Sequence, residues 1–381
     1  MTAPRSVAVI TGSRADFGLL EPVMRAVRDH PELTLRVVAA GSHLLPPAET
    51  LRDITAAGFT VDETIPMQQA GQSGRAADAI ATGRGIESFA RAFTAITPHW
   101  TVVLGDRIEA FAAAAAASIA GIAVAHLHGG DRAEGIADEA MRHAITKLAH
   151  LHFPATERSA QRLLRMGERP EHVHVIGSPA IDALDSIEQM TDADASEWNN
   201  PAALILMHPA GLPETDERAL LRATMNAASS AFPARSILCM APNHDPGRAA
   251  LLDELATAAR RFNWPIVEHL PRRRFIALLK RLAAREGLIL GNSSAGLIEA
   301  AALRLPAVNV GPRQDGRERP DNVIDAETGD AIPDAIRAAR RINRSTLTHP
   351  YGDGRSGRHA AHHLASTDPL APALLRKRCA Y

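Results

Sequence analysis

Short apolar runs alternate with amphipathic segments along this chain. Val7–Ile10 precedes a helical pattern over Leu19–Arg28, Leu35–Ala39 precedes Ala48–Ala57, and Val102–Leu104 precedes Glu109–Ala120. The second half keeps the rhythm. Ala203–Met207 leads into Asp216–Ala231, Ser236–Met240 into Ala249–Phe262, and Leu288–Leu290 into Gly296–Leu303, with Ala307–Val310 as the last strand. Apolar runs without polar alternation read as strands buried on both faces. Strands alternating with helices imply βαβ units and parallel sheets. The expected fold class is α/β, with two Rossmann-like doubly wound domains facing a cleft. The break falls between Gly177 and Asn200, which places a first domain at 1–180 and a second at 181–350. The Gly- and His-rich tail at 351–381 either crosses back to the first domain or is partly disordered.

Composition narrows the function classes. A chain of 381 residues exceeds the roughly 250–300 that one core supports, so two domains are the default. The formal net charge is −1, with no acidic or basic block, which argues against a nucleic-acid or membrane-surface partner. Only Lys147, Lys280 and Lys377 are lysines, beside a large arginine population that is most simply a compositional bias, though arginine also suits planar, bidentate phosphate binding. Cys239 and Cys379 make neither a disulfide framework nor a metal set. The longest apolar run, Ala110–Ala125, is shorter than the ~20 residues that span a bilayer, and the cytoplasm is the expected compartment.

Candidate chemistry concentrates at strand ends, where open α/β sheets bind ligands. Leu104–His152 contains Gly105-Asp106-Arg107 after one strand and His126-Leu127-His128-Gly129-Gly130-Asp131 at the end of the next, Ile122–Ala125. Helical spacing over Glu134–His152 puts Asp138, Arg142 and Thr146 on one face and Ile136, Ala140 and Ala144 on another. Asp106, Asp131 and Asp138 are therefore candidates for proton transfer. His126 and His128 project to one side of a strand end, as some metal sites begin; a role as hydrogen-bond supports for neighbouring groups fits them better, and no metal is expected. Thr11–Gly18 (TGSRADFG) lacks the spacing of a dinucleotide or P-loop motif, so it reads either as a phosphate contact through Arg14, with Asp16 beside it, or as a plain βα turn with a surface ion pair. Gly291–Gly296 (GNSSAG) offers Ser293, Ser294 and backbone N–H groups to a diphosphate, or serves only to cap a helix, and Glu299 can accept both hydroxyls of a ribose. His208-Pro209, Pro242–Asp245 and Gly311–Gln314 end three further strands.

The segments ITGSRADFGLLEPV, AAGSHLL, LGDRIEAFAAA, HLHGGDRAEGIADEAMRHAITKLAHLHF, GNSSAGLIEAAALRLPAVNVGPRQDGRERPDNVI and YGDG together resemble the hydrolysing UDP-N-acetylglucosamine 2-epimerases of the sialic-acid pathway. The resemblance runs from about Val7 to about Gly354, with the motifs in order. It implies a GT-B-like architecture, no cofactor, a UDP-sugar ligand, and a homodimer or homotetramer. It also implies elimination of UDP to a 2-acetamidoglucal and hydration to N-acetylmannosamine. The family's catalytic carboxylates fall on Asp106, Asp131 and Asp138, and its catalytic histidine on His208. Its nucleotide contacts fall on Arg14, Arg107, Asn243, Ser293, Ser294, Glu299 and Arg313. Two departures stand out: Asp131 replaces the glutamate of HGGE, and His208–Gly211 reads HPAG where the family has an HPVT-like run. Both leave open an altered sugar, such as the UDP-linked 2,4-diacetamido-trideoxy sugar of legionaminic acid synthesis, a non-standard nucleotide, or a slow or repurposed enzyme, beside UDP-N-acetylglucosamine as the first expectation. The alternatives are a non-hydrolysing 2-epimerase, a GT-B glycosyltransferase and a catalytically inactive nucleotide-sugar sensor.

Overall fold

The computed structural model describes every residue except 1–2, 47–48, 73, 133–138, 244–246 and 381. Its twelve described strands form two parallel six-stranded sheets. In the first, β1 (Arg5–Thr11), β2 (Leu33–Ala40), β3 (Glu63–Ile65), β4 (Trp100–Leu104), β5 (Ala123–Leu127) and β6 (Leu151–Phe153) lie in the order β3-β2-β1-β4-β5-β6. The second contains β7 (Ala203–Leu206), β8 (Ile237–Met240), β9 (Ile266–Val267), β10 (Leu288–Gly291), β11 (Ala307–Val310) and β12 (Val323–Ala326). Its order, β12-β11-β10-β7-β8-β9, is the same doubly wound topology, with a switch point between β7 and β10 as between β1 and β4.

Burial on both faces explains the apolar runs. In β1, Val7 and Val9 join one core while Ala8 and Ile10 join the core on the opposite face. The first core is closed by α1 (Arg14–Arg28), through Phe17, Leu20, Val23, Met24 and Val27. The short α2 (Leu51–Ala56) adds Ile54. The other face carries α3 (Arg75–Ile96) and α4 (Ile108–Ile119), where six consecutive buried alanines, Ala112–Ala117, leave α4 enclosed by its neighbours. Two further helices, α5 (Glu139–Leu148) and α6 (Glu157–Arg165), flank β6. In the second sheet, after the short α7 (Asp192–Ser196), the core is closed by α8 (Glu214–Ala231), α9 (Arg248–Phe262) and, past α10 (Arg272–Ala284) and α11 (Glu299–Ala302), α12 (Ile332–Arg340).

Among the described residues, Ala183–Pro350 together with Arg132 makes one compact unit, and the rest of the chain before and after it makes the other. The tail belongs to the first unit: α13 (Ser356–Ser366) packs on α1, and α14 (Pro372–Leu375) buries Leu374 in the first core. At Gly357 a Cβ would stand 2.5 Å from the Pro22 carbonyl oxygen, so contact with α1 requires glycine. Asp182 anchors the start of α13, accepting hydrogen bonds from Ser356 N (2.9 Å), Ser356 Oγ (2.9 Å) and Gly357 N (2.8 Å).

Three expectations are corrected. The helix expected up to His152 ends at Leu148, and Leu151–Phe153 is a strand paired with β5. A three-residue strand with a buried histidine carries no periodicity of its own. Gly296–Leu303 is not one helix: the Ser293 hydroxyl accepts from Ala295 N, tightening Ser294–Gly296 into a 3₁₀ turn before the four-residue α11. Finally, β12 follows Ala307–Val310; its partly exposed Val323 and Ile324 mark it as an edge strand.

Candidate functional site

In the first unit the site grows from the ends of β4 and β5. Beyond β4, Gly105 turns with φ +71° and delivers Asp106. Beyond β5 the chain turns at once, with His128 at φ +61° and Gly130 at φ +77°. This corrects the histidine pair: His126 lies in the strand, but His128 has left it in left-handed backbone, so the two do not share one side. A Cβ on Gly130 would come within 2.3 Å of the Ser159 carbonyl oxygen; the bare backbone lets α6 approach Asp131.

Asp131 is held at both oxygens. Oδ2 is 2.7 Å from His128 Nδ1, and Oδ1 accepts from Ser159 Oγ at 2.7 Å. An ionised carboxylate only accepts, so a proton sits on His128 Nδ1, and His128 Nε2 lies 3.2 Å from the Ser178 hydroxyl. The buried Arg142 of α5 forms an ion pair with Asp106 and donates to the Asp131 carbonyl at 2.9 Å. One guanidinium thus ties two of the three expected acids together. The third, Asp138, lies outside the described residues. On α5 the polar Arg142 and Thr146 are buried alongside Ile145, while Ala140 is exposed.

His126 is fixed by its Nε2 against the Gly105 carbonyl (2.7 Å), with Thr146 Oγ1 3.4 Å from Nδ1. Burial lowers its pKa to about 3, so it is neutral at any ordinary pH. Both histidines are hydrogen-bond supports for the turn. Arg14 pairs with Asp53 of α2 at 2.7 Å, both partly exposed. Asp16 donates its N–H to the capping Ser13 Oγ (3.2 Å); burial raises its carboxyl pKa against the pull of Arg107. Arg107 lies 3.6 Å from the buried Glu109, whose pKa burial also raises.

In the second unit His208 follows β7. Its N–H donates to Asn292 Oδ1 (2.7 Å) and its carbonyl accepts from Asn292 Nδ2 (2.8 Å), clipping the ends of β7 and β10 together. Gly291 makes this clip possible: with φ +135°, a Cβ would sit 2.1 Å from the Leu206 carbonyl oxygen. His208 Nδ1 accepts from Asn243 N at 3.0 Å, which leaves the proton on Nε2. Burial, then the nearby Arg313, lowers the His208 pKa to about 3. It is therefore a neutral donor rather than an acid or a cation. Arg313 reaches the Pro209 and Asn292 carbonyls at 3.0 and 3.3 Å, and Gln314 donates to the same Asn292 carbonyl at 2.7 Å. Glu299, the first residue of α11, is buried 3.5 Å from Arg272. Ser293 and Ser294 stand half-buried between β10 and α11.

Sequence reasoning did not find Ser159, Ser178, Glu109 or His43. Ser159 and Ser178 meet their partners 28 and 50 residues away, and no local pattern announces such a contact. Glu109 had one legible signal, an acid at the head of an alanine helix. His43 sits buried between Thr11 Oγ1 (2.8 Å) and Thr50 Oγ1 (2.6 Å), with its pKa lowered to about 4 by burial. Among the described residues there is no group of three ligands able to hold a metal, and no helix is long and apolar enough to cross a membrane.

The family model for UDP-N-acetylglucosamine 2-epimerase matches residues 25–365. A hydrolysing UDP-N,N'-diacetylbacillosamine 2-epimerase from Legionella pneumophila is 36% identical, covering 99% of this chain and 100% of its own. A UDP-N-acetylglucosamine 2-epimerase from Neisseria meningitidis is 30% identical over 92% of this chain and 91% of its own. The crystal structure of the Methanocaldococcus jannaschii UDP-GlcNAc 2-epimerase in complex with UDP-GlcNAc and UDP superposes with a TM-score of 0.78 at 19% identity, covering 95% of this chain and 100% of that one. That likeness establishes the GT-B-like fold class of paired Rossmann-like domains. The chain belongs to the UDP-N-acetylglucosamine 2-epimerase family.

Proposed function

We propose that this chain is a hydrolysing 2-epimerase of a UDP-linked 2-acetamido sugar, with UDP-N,N'-diacetylbacillosamine preferred over UDP-N-acetylglucosamine. The observation that carries the choice is the full-length match to the Legionella pneumophila enzyme, at 36% against 30% for the Neisseria meningitidis UDP-N-acetylglucosamine 2-epimerase. Asp131 and the HPAG run, both departures from the UDP-N-acetylglucosamine pattern, support it.

In elimination a base takes the C2 proton, the C–H electron pair becomes a C1=C2 double bond, and the C1–O bond to the diphosphate breaks, releasing UDP. Water then adds at C1 and a proton at C2 on the opposite face, so the sum is UDP-sugar plus water giving UDP and the free 2-epimer. Asp106, Asp131 and Asp138 supply the acid/base set, as two-faced proton transfer requires. His208 is suited to the departing diphosphate because its Nε2–H is a fixed neutral donor. Arg14, Arg107, Asn243, Ser293, Ser294 and Arg313 take the nucleotide with Asp16, and Glu299 takes the ribose. For Arg14 this requires exchanging Asp53 for phosphate. The expected setting is a cytoplasmic homodimer or homotetramer.

Turnover in heavy water tests the proposal with both UDP-sugars. Free 2-epimer carrying deuterium at C2, formed faster from the diacetamido substrate, is the expected product. Intact, C2-labelled UDP-sugar epimer would instead make the enzyme non-hydrolysing. Faster release from UDP-N-acetylglucosamine would reverse the substrate preference.

A further inference from the structure

Two of the three lysines in this chain converge on one buried carboxylate. Glu168, 3% exposed, lies 2.9 Å from Lys147 Nζ through Oε1 and 2.7 Å from Lys377 Nζ through Oε2. The ring of the buried His152 completes the cluster, with Nε2 2.9 Å from Oε2. Lys147 belongs to α5, His152 to β6, and Lys377 to the segment after α14. The same Lys377 ammonium donates to the Thr146 carbonyl at 2.7 Å and the Ala149 carbonyl at 2.5 Å. These acceptors lie in and just past the last turn of α5, where helical carbonyls have no partner within the helix. Three N–H groups meet three acceptors, and the cation stands at the negative end of the helix. Ala380 N donates to the Gly167 carbonyl (2.8 Å), and Leu374 lies in the core, so the segment is fastened on both sides of Lys377.

The residue type is informative. Arginine is this chain's usual cation, yet a planar guanidinium cannot aim three donors tetrahedrally at two carbonyls and a carboxylate, whereas an ammonium can. One turn before Thr146, Arg142 holds Asp106 and the Asp131 carbonyl. The capped end of α5 and the site's guanidinium are thus a single helical turn apart.

We propose that Lys377 is a positioning residue: from the far end of the chain it caps α5 and so fixes Arg142 against Asp106 and Asp131. The inference rests on the reading of those acids as the acid/base set. Lys377 touches no substrate, and its effect appears in the chemical step rather than in nucleotide binding. A displacement of about 1 Å at reacting groups can lower the rate about 100-fold.

The test is Lys377→Met, assayed for UDP release and for amide hydrogen exchange over residues 142–149. The expected result is a kcat about 10- to 100-fold lower, KM within about threefold of wild type, and exchange in that segment at least about tenfold faster. Lys377→Arg, which keeps the charge and loses the tetrahedral donor set, falls between wild type and Lys377→Met. A folded Lys377→Met enzyme with kcat within twofold of wild type, or with its loss confined to KM, overturns the proposal. Should that variant not fold, Lys377→Arg and Glu168→Gln are judged by the same kcat-against-KM split. Failure of the functional reading looks different: wild type itself would release no UDP, while exchange over 142–149 would still report whether Lys377 caps the helix.

Discussion

At Asp131 one methylene decides what the carboxylate touches. The aspartate accepts from His128 on one oxygen and from Ser159 on the other, both at 2.7 Å, and its carbonyl takes Arg142. A glutamate would carry its oxygens about 1.5 Å further, past both donors. Asp131→Glu is accordingly expected to lower kcat about 100-fold even though it restores the family residue. Wild-type or higher turnover would show that the His128 and Ser159 contacts do not set the carboxylate. Gly41 is a second residue with a sharp constraint. Its φ is +58°, and a Cβ there would stand 2.2 Å from Glu109 Oε1 and 2.5 Å from the Gly12 carbonyl oxygen. Gly41→Ala combines overpacking with left-handed strain, and a loss of about 2–4 kcal/mol in urea unfolding is expected. An unchanged midpoint would mean that Glu109 swings away freely.

Among the elements, α13 depends on a residue 174 positions before it. Its first N–H groups are satisfied by Asp182 rather than by a capping side chain of its own. Burial raises the Asp182 pKa while the Ser356 and Gly357 donors oppose it, so the carboxylate is held there by hydrogen bonds. Asp182→Ala removes three bonds at once. It should cost about 2–4 kcal/mol and expose the tail, seen as faster protease cleavage after Tyr351; cleavage at the wild-type rate would mean that α1 alone retains α13. Such distant partners also set the limit of what the chain reveals by itself. Central strands are legible because burial on both faces makes them apolar runs. Edge strands are not: β3, β6 and β9 have two or three residues, and β12 is partly exposed. The helix α3 is equally hard to read, since its buried positions include Ala81, Gly85 and Ala92, which carry little apolar contrast. At the site, Asp106, Asp131 and His208 are legible from their place at strand ends. Ser159, Ser178 and Lys377 are not, because the fold alone brings them there.

For the molecule as a whole, the distribution of buried histidines predicts an acid-sensitive first unit. His43, His126, His150 and His152 are each no more than 5% exposed, and all belong to that unit. Burial lowers the pKa of His126 to about 3 and of the other three to about 4, from 6.5 in the unfolded chain. Below pH 6.5 the unfolded chain therefore binds protons that the folded unit refuses, and stability falls as pH falls. Each histidine contributes up to about 1.4 kcal/mol per pH unit between 6.5 and its folded pKa. Four acting together remove several kcal/mol between pH 6 and 5, a large share of the roughly 5–15 kcal/mol that holds a folded domain. Glu168 reinforces the trend at lower pH. Burial alone would raise its pKa, but His152, Lys377 and Lys147 bring it down to about 2, so its stabilisation is present above pH 4.5 and is lost as pH falls toward 2. Urea unfolding at pH 7.5, 6 and 5, followed by Trp100 fluorescence in a chain with Trp198 and Trp264 replaced by phenylalanine, isolates the first unit. The midpoint should fall steeply below pH 6.5, and His152→Gln, which cannot take up the proton, should flatten the slope by about one proton. A midpoint constant from pH 7.5 to 5 would mean that the folded unit admits those protons, and that its buried histidines are solvated in a way their burial does not indicate.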